Sequence, residues 1–172
     1  MHIHKFEQFW IKLSFVLIAF FIATVVYGFV AMDLKVIGDH ATIDPQNLAD
    51  TKFGNPGVYE ATDDSKAEYE VYVTAFQFAY NPGTAEPIVV PANTRITFYV
   101  TSPDVLHGFD VAGTNLNTMA IPGQVAKFTT IFPEVREYGI VCNEYCGPAH
   151  HVMEGKINVV PKSEFDKSNL VE

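Results

Sequence analysis

TRITFYVT, residues 94–101, carries the pattern on which the fold prediction rests. Its apolar residues occupy every second position: Ile96, Phe98 and Val100. Successive side chains of a strand point to opposite faces of a sheet, so this alternation predicts a strand with one buried face. A helix would instead repeat its apolar residues every three to four positions.

Five further runs share this composition, being short, rich in Val, Ile, Thr, Tyr and Phe, and separated by Pro, Gly or Asn. They are YEVYVTAF (69–76), PIVV (87–90), VAKFTTI (125–131), EYGIVC (137–142) and GKINVV (155–160). No long helical pattern lies among them. Six short strands of this kind predict a mainly β fold, and we expect a Greek-key β-sandwich.

The N-terminal part of the chain has a different character. Residues 13–32 read LSFVLIAFFIATVVYGFVAM, without a charge, and Ser14 and Thr24 are the only clearly polar side chains. About 20 apolar residues suffice to cross the hydrocarbon core of a bilayer as a helix. This predicts a transmembrane helix, whereas a cleaved signal peptide would have a shorter apolar region and a buried soluble helix would have a polar face.

Charges on either side of this segment predict its orientation. Lys5 and Lys12 precede the segment, and four acidic residues follow it: Asp33, Asp39, Asp44 and Asp50. Basic residues are retained on the cytoplasmic side of a membrane. We therefore expect a single-pass membrane protein with a cytoplasmic N-terminus and an extracytoplasmic C-terminal domain, in contact with membrane lipid through its anchor.

Composition divides the chain into four parts. We predict an N-terminal transmembrane anchor at 1–32, an acidic extracytoplasmic connector at 33–68, a β domain at 69–160 and a polar C-terminal tail at 161–172. The net charge of the chain is −9. An acidic surface of this kind can steer a basic partner or simply keep the domain soluble, and we expect no nucleic-acid partner.

The stretch CNEYCGPAHHVM, residues 142–153, is the strongest indication of function. It holds both cysteines of the chain, two of its six histidines and one of its four methionines. Thiolate, imidazole and thioether are the ligands that copper prefers, whereas hard cations prefer oxygen. The composition of this stretch therefore predicts a copper site.

The spacing within this stretch suits one short loop folded around metal. Cys146, His150 and Met153, together with a distant histidine such as His107, are what a mononuclear blue-copper site needs. Cys142 is then left over, and a second thiolate allows two sulfurs to bridge two copper ions. A membrane-anchored mononuclear blue-copper carrier or copper-delivery protein remains the alternative function, and Cys142 argues against it.

Two other chemistries compete for the same residues. The two cysteines could form a disulfide, as cysteines of extracytoplasmic domains commonly do. Cys142, Cys146, His150 and His107 could instead hold a tetrahedral zinc ion. Neither alternative uses Met153, which favours copper. His151 is expected to be a solvated neighbour rather than a ligand.

This stretch resembles the copper-binding signature of subunit II of haem-copper cytochrome oxidases, Cys-x-Glu-x-Cys-x3-His-x2-Met. The matching residues are Cys142, Glu144, Cys146, His150 and Met153. The segments SPDVLHGF, VAGTNLN and IPGQV are also similar to that family. The single apolar span and the segment YVTAFQFAY resemble its B-type branch most.

The resemblance implies a cupredoxin-like sandwich that carries a dinuclear CuA centre. Cys142 and Cys146 would be the bridging thiolates, and His107 and His150 the terminal imidazoles. Met153 would supply a weak thioether ligand and Glu144 its backbone carbonyl. Some relatives also use the carboxylate at this Glu position to hold magnesium, so magnesium at Glu144 is a further expectation.

The resemblance also implies a role within a complex. The chain would accept single electrons from a cytochrome c or small copper protein and pass them to haem in the catalytic subunit I, where oxygen is reduced to water. The chain itself would contain no catalytic site for oxygen. Phe76, Phe78 and Tyr80 are expected to pack within the domain rather than to form the route by which electrons arrive.

Overall fold

A computed structural model of the chain describes residues 4–31, 41–62 and 67–171. The chain divides into two compact units, Met1–Val36 and Ile37–Glu172. The first contains a helix, and the second contains the predicted strands.

Helix α1 spans Lys5–Ala31. Its 27 residues correspond to about 40 Å at 1.5 Å per residue, and its most apolar window has a mean hydropathy of 2.5. Within the described residues it is the one helix long and apolar enough to cross a membrane. The predicted segment 13–32 lies inside this helix, apart from Met32, which lies outside the described residues.

The described part of the second unit forms eleven strands. They are β1 Ala41–Thr42, β2 Gly57–Glu60, β3 Tyr69–Phe76, β4 Ala79–Asn81, β5 Ile88–Pro91, β6 Arg95–Thr101, β7 His107–Val111, β8 Asn117–Ala120, β9 Gln124–Ile131, β10 Glu137–Val141 and β11 Glu154–Val160. Short 3-10 helices lie at Leu48–Asp50, Lys52–Gly54, His150–Val152 and Lys167–Asn169.

These strands form two sheets. The first has the order β1-β9-β6-β3-β2, with β4 paired to β3, and the second has the order β5-β11-β10-β7-β8. The pairs β3–β6 and β5–β11 are parallel, whereas the other pairs are antiparallel. Strands from distant parts of the chain are thus neighbours, and the predicted mainly β sandwich is confirmed.

Aromatic and β-branched side chains fill the space between the sheets. Ile96, Phe98 and Val100 are each 0% exposed, as the alternation in TRITFYVT predicts. The Phe98 ring stacks on Phe128 at a centroid distance of 5.2 Å, and Phe109 packs against both rings. Full burial of each such side chain contributes roughly 1.5–3 kcal/mol of transfer free energy, so this core determines how the sheets align.

Part of the predicted connector, 33–68, belongs to the sandwich. The described residues of this segment contribute β1 and β2. The side chains of Leu48 and Phe53 are buried in a cluster with Val125. Strand alternation places Val125 on the face of the first sheet opposite the main core. Sequence patterns missed this contribution because the strands are short and the two anchoring residues stand alone among polar ones. Residues 33–40 and 63–66 lie outside the described residues.

The predicted polar tail, 161–172, also contacts the sandwich. Phe165 and Leu170 pack against the main core. The Val171 N–H donates to the Val58 carbonyl at 2.9 Å. Two isolated apolar side chains are enough to dock this segment, although its composition is otherwise polar.

Candidate metal centre

Strand pairing brings the predicted ligands to one end of the sandwich. His107 begins β7, and Cys142 directly follows β10. β7 and β10 are antiparallel, with Val141 opposite Asp110. The start of one strand therefore lies beside the end of the other, and the loop from β10 to β11 folds over this position.

Three of the predicted ligands are buried and lie close together. One ligand atom from each of His107, Cys142 and Cys146 falls within 4.8 Å of the others, and all three residues are buried. The two Sγ atoms are 3.7 Å apart and both cysteines are free. A disulfide requires about 2.05 Å between its sulfurs, so the structure holds two thiols side by side.

The other predicted site residues surround this pair of sulfurs. The Cys146 Sγ lies 3.6 Å from His150 Nδ1 and 3.7 Å from Met153 Sδ. The carbonyl oxygen of Glu144 lies 3.2 Å from the Cys142 Sγ. The structure thus brings all six predicted residues into one cluster, while His151 is exposed as expected. Their role as ligands remains a prediction at this point.

His107 presents a nitrogen to this cluster. Its side chain is 0% exposed, and its Nε2 lies 2.8 Å from Asp104 Oδ1. Its Nδ1 is buried and has no hydrogen-bond partner among the described residues. When the carboxylate accepts a hydrogen bond from Nε2–H, the Nδ1 lone pair is left free, which is the tautomer that a metal requires. A buried polar atom without a partner is costly, and a metal would satisfy it.

Sequence reasoning did not predict the role of Asp104. This carboxylate also accepts hydrogen bonds from the backbone N–H groups of Gln77, at 2.8 Å, and Val105, at 2.6 Å. Burial acts to raise the pKa of Asp104, but the hydrogen bonds from His107 and these amides outweigh it and hold the pKa below its ordinary value. The only signal in the sequence was an acid three residues before His107 in SPDVLHGF.

The electrostatics of the two thiols also favour a cation. Burial raises the pKa of Cys146 to about 11, and the adjacent Cys142 contributes to the increase. Two neighbouring thiolates repel each other in a buried site unless positive charge lies between them. Two sulfurs, an imidazole nitrogen with a free lone pair and a nearby thioether match the preferences of copper. The residues therefore fit the metal that the sequence predicted.

A close backbone approach explains the glycine after His107. A Cβ at position 108 would lie 2.6 Å from the Asn143 backbone nitrogen, which no side chain tolerates. The Gly108 N–H donates to the Cys142 Sγ at 3.4 Å. Gly108 therefore allows the two segments that carry ligands to come into direct contact.

Residues 57–160 match the family model described as cytochrome c oxidase subunit II, periplasmic domain. The chain belongs to the cytochrome c oxidase subunit II family. A cytochrome c oxidase subunit 2 of Thermus thermophilus is 36% identical over 156 residues, which cover 90% of this chain and 91% of that relative. As a member of this family, the chain is a subunit of an oxidoreductase complex.

Solved structures agree with this assignment. A chain from the cryo-EM structure of a haem-copper terminal oxidase dimer matches with a TM-score of 0.74 and 28% identity, over 91% of this chain and all of that one. The periplasmic domain of a Bradyrhizobium japonicum oxidase subunit II matches with a TM-score of 0.54 over 58% of this chain and 89% of that domain; at 24% identity it shows the fold alone.

Family and fold together confirm the coarser predictions. The fold is a cupredoxin-like sandwich with one apolar N-terminal helix that could span a membrane. Members of this family carry CuA copper, and the His107, Cys142 and Cys146 cluster could hold metal. Membership in subunit II also implies a partner subunit I, and the helix fits a membrane-anchored subunit.

Proposed function

We propose that this chain accepts single electrons from a periplasmic donor at a dinuclear CuA centre and passes them to haem in subunit I, where oxygen is reduced to water. One observation carries the proposal: two buried thiols 3.7 Å apart share their pocket with a buried histidine whose Nδ1 has no partner among the described residues. Family membership supports the proposed electron-transfer role and the partnership with subunit I.

The ligand assignment is inferred from family membership and is supported by the contacts. Cys142 and Cys146, whose sulfurs are adjacent, would be the bridging thiolates. His107 and His150 would be the terminal imidazoles. Met153 would supply the thioether, and Glu144 its backbone carbonyl, which faces the Cys142 sulfur.

Copper, when bound, supplies a one-electron couple that two nuclei share. The protein contributes rigidity and exclusion of water. His107, Cys142, Cys146 and Met153 are each at most 4% exposed. Asp104 holds the imidazole of His107 in one tautomer and one orientation. Ligands held by strand ends and packed side chains move little when the charge changes, and this favours fast electron transfer.

The proposed placement in the cell combines the helix with the charge pattern. The anchor, 1–32, crosses the membrane with its N-terminus in the cytoplasm. The connector, 33–68, the CuA domain, 69–160, and the tail, 161–172, lie in the periplasm. A single apolar helix among the described residues supports assignment to the B-type branch of the family.

The donor is proposed to be a cytochrome c or a small copper protein. The acidic balance of the chain would attract a basic donor over long range. Exposed side chains beside the loop would form the contact itself. Tyr145 is 77% exposed and its ring lies edge-on to the ligand His150 at 5.8 Å, with the exposed Val152 nearby in sequence.

Ionic strength tests this steering. Turnover of the intact complex with a basic donor should slow as salt is raised from about 10 mM, because charges separated by more than the Debye length are then screened. An acidic donor of matched potential is the control and should show no such decrease. Equal responses of both donors would remove electrostatic steering from the proposal.

Magnesium at the Glu144 carboxylate is a separate part of the proposal. Its support is the carboxylate at this position of the signature and its half-buried environment. Metal analysis of the intact complex before and after Glu144→Gln tests it. Loss of magnesium with both copper ions retained is the expected result, and unchanged magnesium would refute it.

Metal counting with electron paramagnetic resonance tests the central claim. The full chain, purified in detergent and loaded with copper, should bind two copper ions and show one unpaired electron coupled equally to both nuclei. One copper per chain with an intense blue band would instead indicate a mononuclear carrier. A single zinc ion, or a Cys142–Cys146 disulfide in the native complex, would refute the proposal.

A further inference from the structure

Tyr80 places a buried hydroxyl group beside the candidate metal centre and has no role in the ligand set. It lies in β4 and is 2% exposed. Its ring packs edge-on against Phe109 at 5.6 Å. A Cβ added at Gly155 would lie 3.1 Å from the ring, so the backbone of β11 is also in close contact. The ring is therefore held in one position on both sides.

The Tyr80 hydroxyl connects this fixed ring to the ligand segments. It donates a hydrogen bond of 2.6 Å to the Gly108 carbonyl, and this bond is buried. Gly108 directly follows the ligand His107, and its N–H donates to the Cys142 sulfur at 3.4 Å. Gly108 thus accepts a hydrogen bond from the Tyr80 hydroxyl through its carbonyl and donates one to the Cys142 sulfur through its N–H.

Hydrogen bonds to a metal-bound sulfur tune a copper site. A donor directed at the sulfur withdraws electron density from it and favours the reduced, more electron-rich metal, so the reduction potential rises. The strength of such a bond depends on the position of the N–H group. Any contact that fixes the Gly108 backbone therefore affects the potential.

We propose that Tyr80 is a positioning residue that raises the reduction potential of the metal centre by fixing Gly108 so that its N–H donates to the Cys142 sulfur. This inference rests on the proposed CuA function. It concerns the hydroxyl and not the ring, because the ring contacts would persist with phenylalanine in its place.

Tyr138 provides a matched control. It is 3% exposed and lies in β10, on the strand that leads into Cys142. Its ring packs against Phe132 at 5.0 Å and under the Arg136 guanidinium at 3.8 Å. At a strand rise of about 3.3 Å per residue it lies roughly 13 Å from Cys142 along β10, too far for its hydroxyl to contact the ligand segments.

The experiment compares Tyr80→Phe with Tyr138→Phe in the copper-loaded full chain in detergent. Tyr80→Phe should bind the same number of copper ions as wild type, but its equilibrium constant for reduction should fall about tenfold, which is about 59 mV for one electron. The copper hyperfine couplings should change as well. Tyr138→Phe should stay within about twofold of wild type. Equal potentials in the two variants would overturn the inference.

A copper-free measurement keeps the inference testable if Tyr80→Phe does not fold. In proton NMR of the metal-free wild-type chain, the Tyr80 hydroxyl proton should exchange slowly with water and show a cross-peak to the Gly108 Hα protons. Rapid exchange of the hydroxyl proton would overturn the inference. A wild-type chain that binds no copper would overturn the CuA function as well, whereas two bound coppers with an unchanged potential in Tyr80→Phe would overturn this inference alone.

Discussion

Two buried ionisable side chains of this chain have opposite surroundings. His107, at the candidate metal centre, is 0% exposed, and its Nδ1 has no partner among the described residues. Glu70, on the face of the first sheet away from the main core, is 6% exposed, and both of its carboxylate oxygens have partners. It pairs with Lys52 at 3.0 Å and accepts a hydrogen bond from the Tyr72 hydroxyl at 3.3 Å.

The difference separates a ligand site from a structural contact. A buried carboxylate with a cation and hydroxyl donors needs nothing further, and it fastens the Lys52–Gly54 segment to the sheet. A buried imidazole nitrogen beside two thiols lacks a partner, and an added cation would provide one. Substitutions around Glu70 should therefore change the stability of the fold, and substitutions around His107 should change metal binding.

Removal of one bridging sulfur should have the largest effect. Cys142→Ser or Cys146→Ser should abolish the spectrum of an electron shared between two copper nuclei, because a hydroxyl is a poor bridging ligand for copper. Electron paramagnetic resonance and copper analysis of the full chain measure this, with circular dichroism to show that the sheets remain folded. Two coupled copper ions in either variant would contradict the bridging assignment.

Loss of the charge on Asp104 should weaken the metal centre without removing it. Asp104→Asn no longer fixes the His107 tautomer, so copper affinity should fall roughly tenfold. Competition with a chelator measures the affinity. The exposed Asp50→Asn is the control and should leave it unchanged. An equal affinity for both variants would show that Asp104 does not orient His107.

Disruption of the Glu70 contact should affect stability alone. Lys52→Met leaves Glu70 buried without its cation, but Lys52 is 37% exposed, which limits the loss to about 1 kcal/mol, or roughly a fivefold change in the unfolding equilibrium. Denaturant unfolding measures this. Lys156→Met removes an exposed pair with Glu137 and should cost less. A change in copper content in Lys52→Met would break the distinction between the two regions.

Among the substitutions of proposed ligands, that of the thioether should have the smallest effect on metal content. Met153→Leu should retain both copper ions and shift the reduction potential, because the thioether bond is long and weak. A redox titration measures the shift. Met119→Leu, at an exposed methionine in β8, should leave the potential as it is. Copper loss as large as in the cysteine variants would show that Met153 was misassigned.

The sequence predicted those features that rest on distinctive chemistry or on regular alternation. The copper loop combines residue types that rarely occur together, and TRITFYVT alternates without a break, so both predictions needed only local information. The packing of Leu48 and Phe53 on the outer face of a sheet could not be predicted in this way, since each is a single apolar residue within a polar segment.

The sequence likewise did not predict the hydrogen-bond partners of individual side chains. Tyr80 was expected to pack, and its ring does, but nothing in YVTAFQFAY indicates that its hydroxyl meets Gly108. The same holds for Asp104, whose contact with His107 depends on the turn between β6 and β7. The first contact joins two separate segments and the second depends on the geometry of a turn, so only the folded chain specifies them.

Because the proposed ligands come together through the pairing of β7 with β10, the metal site can form only late in the folding of the chain. His107 and the cysteine loop are distant in sequence and meet only when these strands pair. A nascent chain that ends before Cys142 cannot form the site, and local unfolding of this pair disperses it. Occupancy should in turn protect the sandwich, by about 2.7 kcal/mol when free metal is 100 times its dissociation constant. Under the proposed CuA function, the supply of copper should therefore affect how long this domain survives proteolysis.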